Sequence, residues 1–168
     1  MKNITFEEAI AYTEALILRH DSHELNDAQL EAEISALVQS SNGARGFFVC
    51  FLTGEYQLAD APSAGVIRAL QSDPKAIAEL LVKNLAMSTA MAIAHRQAGN
   101  IEQAQGSDRV AKRTALLIEK VDLAEVREIA AQMQNSAISD TGEYAAFYKK
   151  WGYDAEQKQA IANVLANG

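Results

Sequence analysis

The sequence predicts an all-α fold, and three observations carry that expectation. Alanine, the best helix former, occurs 31 times among 168 residues. Only two prolines, Pro62 and Pro74, forbid helix interior anywhere along the chain. Helix-start signals with a physical mechanism recur from one end to the other.

Taken in order, Thr5-Phe6-Glu7-Glu8 has the form of a capping box. Its hydroxyl and carboxylate each satisfy an orphan backbone N–H, which predicts a helix over 6–20. Asn26-Asp27-Ala28-Gln29 repeats the pattern, with Leu25 and Leu30 spaced as a hydrophobic staple, and predicts a helix over 27–40. The stretch from Gly46 to Gly54 is ambiguous. Its consecutive apolar residues, Phe47 to Leu52, resemble a short buried strand. No second segment alternates as a strand, and a lone strand leaves its backbone unsatisfied. A central buried helix is therefore favoured over a strand paired with its copy across a dimer.

A helix is expected over 64–71, followed by one over 74–98. In the latter, Asp73 precedes Pro74 at the first helical position, where the missing N–H costs nothing. Gly99-Asn100 stops that helix and the next is predicted over 101–120, with Gly106-Ser107 a place where it splits if Ser107 caps a new start. Asp122-Leu123-Ala124-Glu125, stapled by Val121 and Val126, predicts a start for 123–135. Asp140-Thr141-Gly142-Glu143 does the same for 141–151, which Gly152 ends. Asp154-Ala155-Glu156-Gln157 opens the last helix, over 155–166. Short connections throughout predict one domain over 1–168, a bundle of seven to eight helices in which neighbours pack antiparallel or at sharp corners.

Composition narrows the function classes. There are 15 basic and 22 acidic residues, a net charge of −7, with 49% hydrophobic residues. That is apolar enough to bury a core and too acidic overall for a nucleic-acid binder, which needs clustered Lys and Arg. The charge is uneven: residues 1–60 hold 3 basic and 10 acidic side chains, residues 61–121 hold 8 and 5. Such a distribution suits segments of opposite sign docking on each other, within one chain or between chains, but solvated helix faces are the favoured explanation. No charge-free run exceeds the 12 residues from Asn84 to His95, short of the roughly 18–20 a membrane helix needs. The N-terminus has no apolar signal-peptide core, so a soluble cytoplasmic protein without a membrane span is expected. Cys50 is the sole cysteine, which excludes an intrachain disulfide and a cysteine metal cage. In its Phe- and Leu-rich setting it reads as a small buried hydrophobe with a raised pKa.

Four groups of residues stand out as candidates. On the 74–98 helix, a 100° step places Asn84, Ser88 and His95 within about 40° of each other on the face expected to be buried. They form either a polar seam lining a ligand cavity between helices, or a structural set in which Ser88 bonds its own backbone and the others fix register. On 101–120, Arg109, Lys112, Arg113 and Lys120 share a flank that suits a phosphate or carboxylate, or else simply faces water. Tyr144, Phe147, Tyr148 and Trp151 follow i, i+3, i+4, i+7 spacing and make one aromatic stripe, matching an interface centre with Lys149 and Lys150 at its rim, or a cap on the open end of the bundle. His20-Asp21-Ser22-His23-Glu24 is the one dense group of metal-ligand types. It lacks an HExxH pattern and a third nearby histidine, so no metal and no cofactor is expected.

No phosphate loop, nucleophile elbow, CxxC pair or dinucleotide fingerprint is present. Two readings from different classes follow. The first is a non-enzymatic helical module that binds a protein partner or itself, as a homodimer, through the aromatic stripe. The second is a small-molecule-binding bundle, enzymatic or not, with Asn84, Ser88 and His95 lining the cavity and Arg109 or Arg113 holding an anion. The first is preferred, because no catalytic motif supports the second.

Overall fold

In the computed structural model, which describes residues 1–166, ten helices and no strand are present among the described residues. The chain divides into two compact units, residues 1–77 and 78–168.

In the first unit the capping signals act as the sequence requires. The Thr5 hydroxyl accepts from Glu8 N at 3.1 Å while Thr5 N donates to the Glu8 carboxylate at 2.9 Å, opening α1 (Phe6–Asp21). The same reciprocal pair between Asn26 and Gln29, at 2.8 and 2.9 Å, opens α2 (Asp27–Leu37). That helix stops three residues before its expected end because Ser40 is needed elsewhere. With extended backbone it accepts from Gly43 N at 3.0 Å and caps α3 (Ser41–Thr53). The ambiguous Gly46–Gly54 segment is thus helical, and it accounts for one of the helices beyond the expected eight. The other is α4 (Gln57–Asp60), a single turn too short to show periodicity. Ser63 caps α5 (Ala64–Leu70).

The closest approaches in this unit skip sequence neighbours: α1 meets α3, and α2 meets α5. Asn42 donates to Ile4 O at 3.4 Å, the Arg45 guanidinium lies over the Phe6 ring, and the charge of Glu14 reaches Cys50, so α1 and α3 run parallel. Gly46 marks the contact: a Cβ there would lie 2.5 Å from the Ala9 Cβ and 2.9 Å from Phe6 O. The helices α2 and α5 also run parallel. Asp27 accepts from Ser63 Oγ and from Gly65 N, Glu31 pairs with Arg68 at 2.9 Å, and Gln39 reaches Ser72. Phe47, Phe48 and Phe51 fill the core, with Phe47 and Phe51 stacked at 5.1 Å between centroids. Cys50 is buried with its thiol beside the Tyr56 hydroxyl, and burial pushes its pKa up.

The unit boundary falls inside α6 (Pro74–Gln97). An 18-residue window of this helix has mean hydropathy 1.4, enough by length and composition to cross a membrane, though half of that window is buried within the structure. Gly99, at φ +76°, ends α6, and Asn100 N bonds back to His95 O at 2.8 Å, a Schellman closure that suits glycine.

The second unit continues with α7 (Ile101–Val121), which runs unbroken through Gly106-Ser107. It is followed by α8 (Ala124–Ser139), α9 (Ala145–Trp151) and α10 (Ala155–Ala166). Two expected caps are corrected here. Asp122 and Asp140 do not open helices; at φ 45° and 57° they adopt the left-handed conformation that closes α7 and α8. A residue committed to that role lacks the extended backbone an N-cap needs. As a result α8 extends to Ser139, α9 begins only at Ala145, and Ser136 Oγ accepts from Tyr144 N at 3.2 Å instead. The Asp154–Gln157 box forms as expected, both bonds at 2.8 Å. The core joins Val82, Leu85 and Ala86 of α6 with Met133 of α8, Tyr148 of α9 and Ile161 and Leu165 of α10.

Candidate functional site

The Asn84–Ser88–His95 seam lies on α6, and its three members differ in what they do. Ser88 is buried, and its hydroxyl donates to Asn84 O at 2.8 Å and Leu85 O at 3.2 Å, so its proton is committed to its own helix. Asn84 and His95 are half-buried. The two clefts described below are not lined by any of these three residues.

The basic flank of α7 is divided by burial. Arg109, Lys112 and Lys120 are exposed, whereas Arg113 is only 3% exposed, beside the buried Thr114 and Leu117. At the end of α1, His23 sits at φ 62°, with Glu24 N bonded to Arg19 O at 2.8 Å, so it fills the position usually given to glycine. His20 is half-buried; its Nδ1 has no hydrogen-bond partner and stands 4.0 Å from Asp21 Oδ1. Among the described residues no three His, Cys, Asp or Glu side chains converge where a metal ion would sit.

The aromatic stripe is largely spent inside the second unit. Tyr148 is 3% exposed and donates to Met133 O at 2.8 Å, and its ring meets Phe147 edge-on at 5.4 Å. Tyr144 and Phe147 are half-buried, and the Lys83 ammonium, paired with Glu79 at 3.0 Å, lies about 6 Å from both rings (6.0 and 5.9 Å). Burial pushes the Tyr144 and Tyr148 phenols up, and that of Tyr153 to about 12. Trp151 is different. It is 48% exposed, the sole tryptophan of the chain, with Lys150 Nζ 5.4 Å from its ring centroid.

Two clefts open on the second unit. One, of about 480 Å³, has a floor of Leu85 and Val126 and walls of Ala115, Ile118, Leu123 and Val164; Glu119, Asp122 and Arg127 stand at it as well, the last two paired at 3.2 Å. The other, about 470 Å³, lies against α9 between Tyr148, Lys149, Tyr153 and Lys158, with Lys158 paired to Asp140. Sequence reading passed over both. Ile118 of the first lies off the main apolar stripe of α7, and this surplus hydrophobe is the signal that a second contact surface exists on that helix.

The model of one protein family matches residues 5–167, nearly the whole chain. The chain belongs to that family, uncharacterised conserved protein UCP020893. No curated protein and no solved structure matches it. The family description carries no activity, so the chemistry has to be read from the side chains. Ser88 is held by backbone carbonyls, and the Cys50 thiol is shifted away from the reactive thiolate. Neither is an activated nucleophile. What this UCP020893 chain does offer is binding surface: an apolar cleft with acid at its edge and a single projecting indole beside lysines.

Proposed function

We propose that the chain is a non-enzymatic helical module that associates with a second copy of itself, with Trp151 as the anchoring side chain. The observation that carries this reading is the contrast within one short helix. Tyr148 anchors α9 in the core by its bond to Met133 O, while Trp151 one turn later is 48% exposed rather than folded in. A preordered, half-exposed indole loses little freedom on docking, and tryptophan is enriched among residues that dominate interface energies. Ile138, 68% exposed on α8, adds apolar surface in the same unit.

The small-molecule reading keeps one specific support, the apolar cleft of about 480 Å³, which falls within the usual size range of ligand sites. Native mass spectrometry separates the two. Self-association gives dimer or higher mass without excess, while a bound ligand gives excess mass that vanishes on denaturation. Because the chain has one tryptophan, its emission is a second readout: it should shift to the red on dilution as Trp151 returns to water. A protein that stays monomeric, with concentration-independent emission, would exclude self-association.

A further inference from the structure

We infer that Trp151 of one copy docks in the Leu85–Val126 cleft of a second copy, its flanking lysines meeting the acidic edge of that cleft. The inference rests on the self-association reading above and specifies its contact. The knob and the socket are both in the second unit, and they are complementary in chemistry. Trp151 is a large flat hydrophobe at the C-terminal end of α9, preceded by the exposed Lys149 and Lys150, with the Lys150 ammonium over its ring. The cleft presents aliphatic floor and walls, and at about 480 Å³ it admits an indole with the stems of its neighbours. Beside it Glu119 is exposed and carries no ion pair among the described residues, while Asp122 is already matched by Arg127. Docking therefore covers apolar surface on both sides and brings an ammonium to a carboxylate with no cation partner among the described residues.

Sedimentation velocity over a concentration series tests this, with circular dichroism checking that each variant keeps the wild-type helix content. Trp151→Ala removes the knob and should raise the dissociation constant about thirtyfold or more. Ala115→Phe fills the socket from an exposed position on α7 and should weaken association comparably, although Trp151 is intact. Lys150→Glu and Glu119→Lys alter only exposed side chains. Each should weaken association by about two- to fivefold, and the double variant should recover it.

Failure of the contact and failure of the underlying reading are distinguishable. A wild type that self-associates while Trp151→Ala or Ala115→Phe leaves it unchanged overturns the proposed contact but not self-association. A wild type that is monomeric at every concentration overturns both. A monomer with excess mass that Ala115→Phe removes makes the cleft a small-molecule site and overturns the contact.

Discussion

The side-chain amide of Gln157 donates to the carbonyl of Ala90 at 3.1 Å, while its carbonyl oxygen accepts from Asp154 N at 2.8 Å. One buried side chain therefore both opens α10 and fastens it to the middle of α6. Gln157→Leu keeps the bulk but breaks both bonds, and should lower unfolding free energy by about 1–3 kcal/mol. Urea denaturation followed by circular dichroism measures it; a loss below a few tenths would mean that the bridge is not formed in solution.

Gly46→Ala should destabilise the protein although alanine is the better helix former. The added Cβ meets the Ala9 Cβ at 2.5 Å and the Phe6 carbonyl at 2.9 Å, so α1 and α3 must separate. Overpacking of this kind costs about 1–3 kcal/mol, against a propensity gain of about 1. Adding Ala9→Gly should recover part of the loss, as a double-mutant cycle in thermal melts would register.

His23→Gly should stabilise. His23 holds φ 62° at the end of α1, a conformation that burdens a side chain with a Cβ and leaves glycine unstrained. A gain of about 0.5–1 kcal/mol is expected in a thermal melt. A loss would show that the imidazole makes an interaction outweighing its strain.

Alkaline pH should unfold the protein through its tyrosines. All five are raised: Tyr12 to about 12 by burial and its bond to Glu33, Tyr153 to about 12 by burial, and Tyr56, Tyr144 and Tyr148 in the same direction. A folded-state pKa above the unfolded value of about 10 means that the unfolded chain gives up protons first. Stability is therefore fully present below about pH 10 and falls as pH rises from there toward 12. Denaturation midpoints should fall across that interval while tyrosinate absorbance, followed in parallel, rises. Tyr153→Phe, which removes a phenol with no hydrogen bond among the described residues, should flatten the slope.

Most of the fold was legible because its start signals are local. Thr5–Glu8, Asn26–Gln29 and Asp154–Gln157 each satisfy their own helix, and all three formed as read. Asp122 and Asp140 misled because aspartate serves two backbone states, extended at a helix start and left-handed at a helix end. Residues from the preceding helix decided between them. The aromatic stripe shows where periodicity runs out. Equal spacing put Tyr148 and Trp151 on one face, but a single bond to Met133 O places the first inside while the second stays half in water. The clefts were invisible because they join residues far apart in the chain, the first from α6, α7, α8 and α10 and the second from α9, α10 and the turns beside them, and nothing local encodes which apolar side chains will be left uncovered.

The parallel pairing in the first unit has a consequence for the order in which the chain is made. Asn42 and Ile4 are 38 positions apart, and so are Gly65 and Asp27. As the nascent chain leaves the ribosome, α1 emerges with its Ala9 face uncovered until Gly46 of α3 has followed, and α2 then waits in turn for α5. Neither helix can close on its immediate successor: α1 waits past α2, and α2 waits past both α3 and α4. A chain that ends before Ser63 carries the capped α2 but lacks the helix that lies along it. The first seventy or so residues, not any shorter hairpin, are the smallest piece of this unit in which both α1 and α2 have met the helix that lies along them.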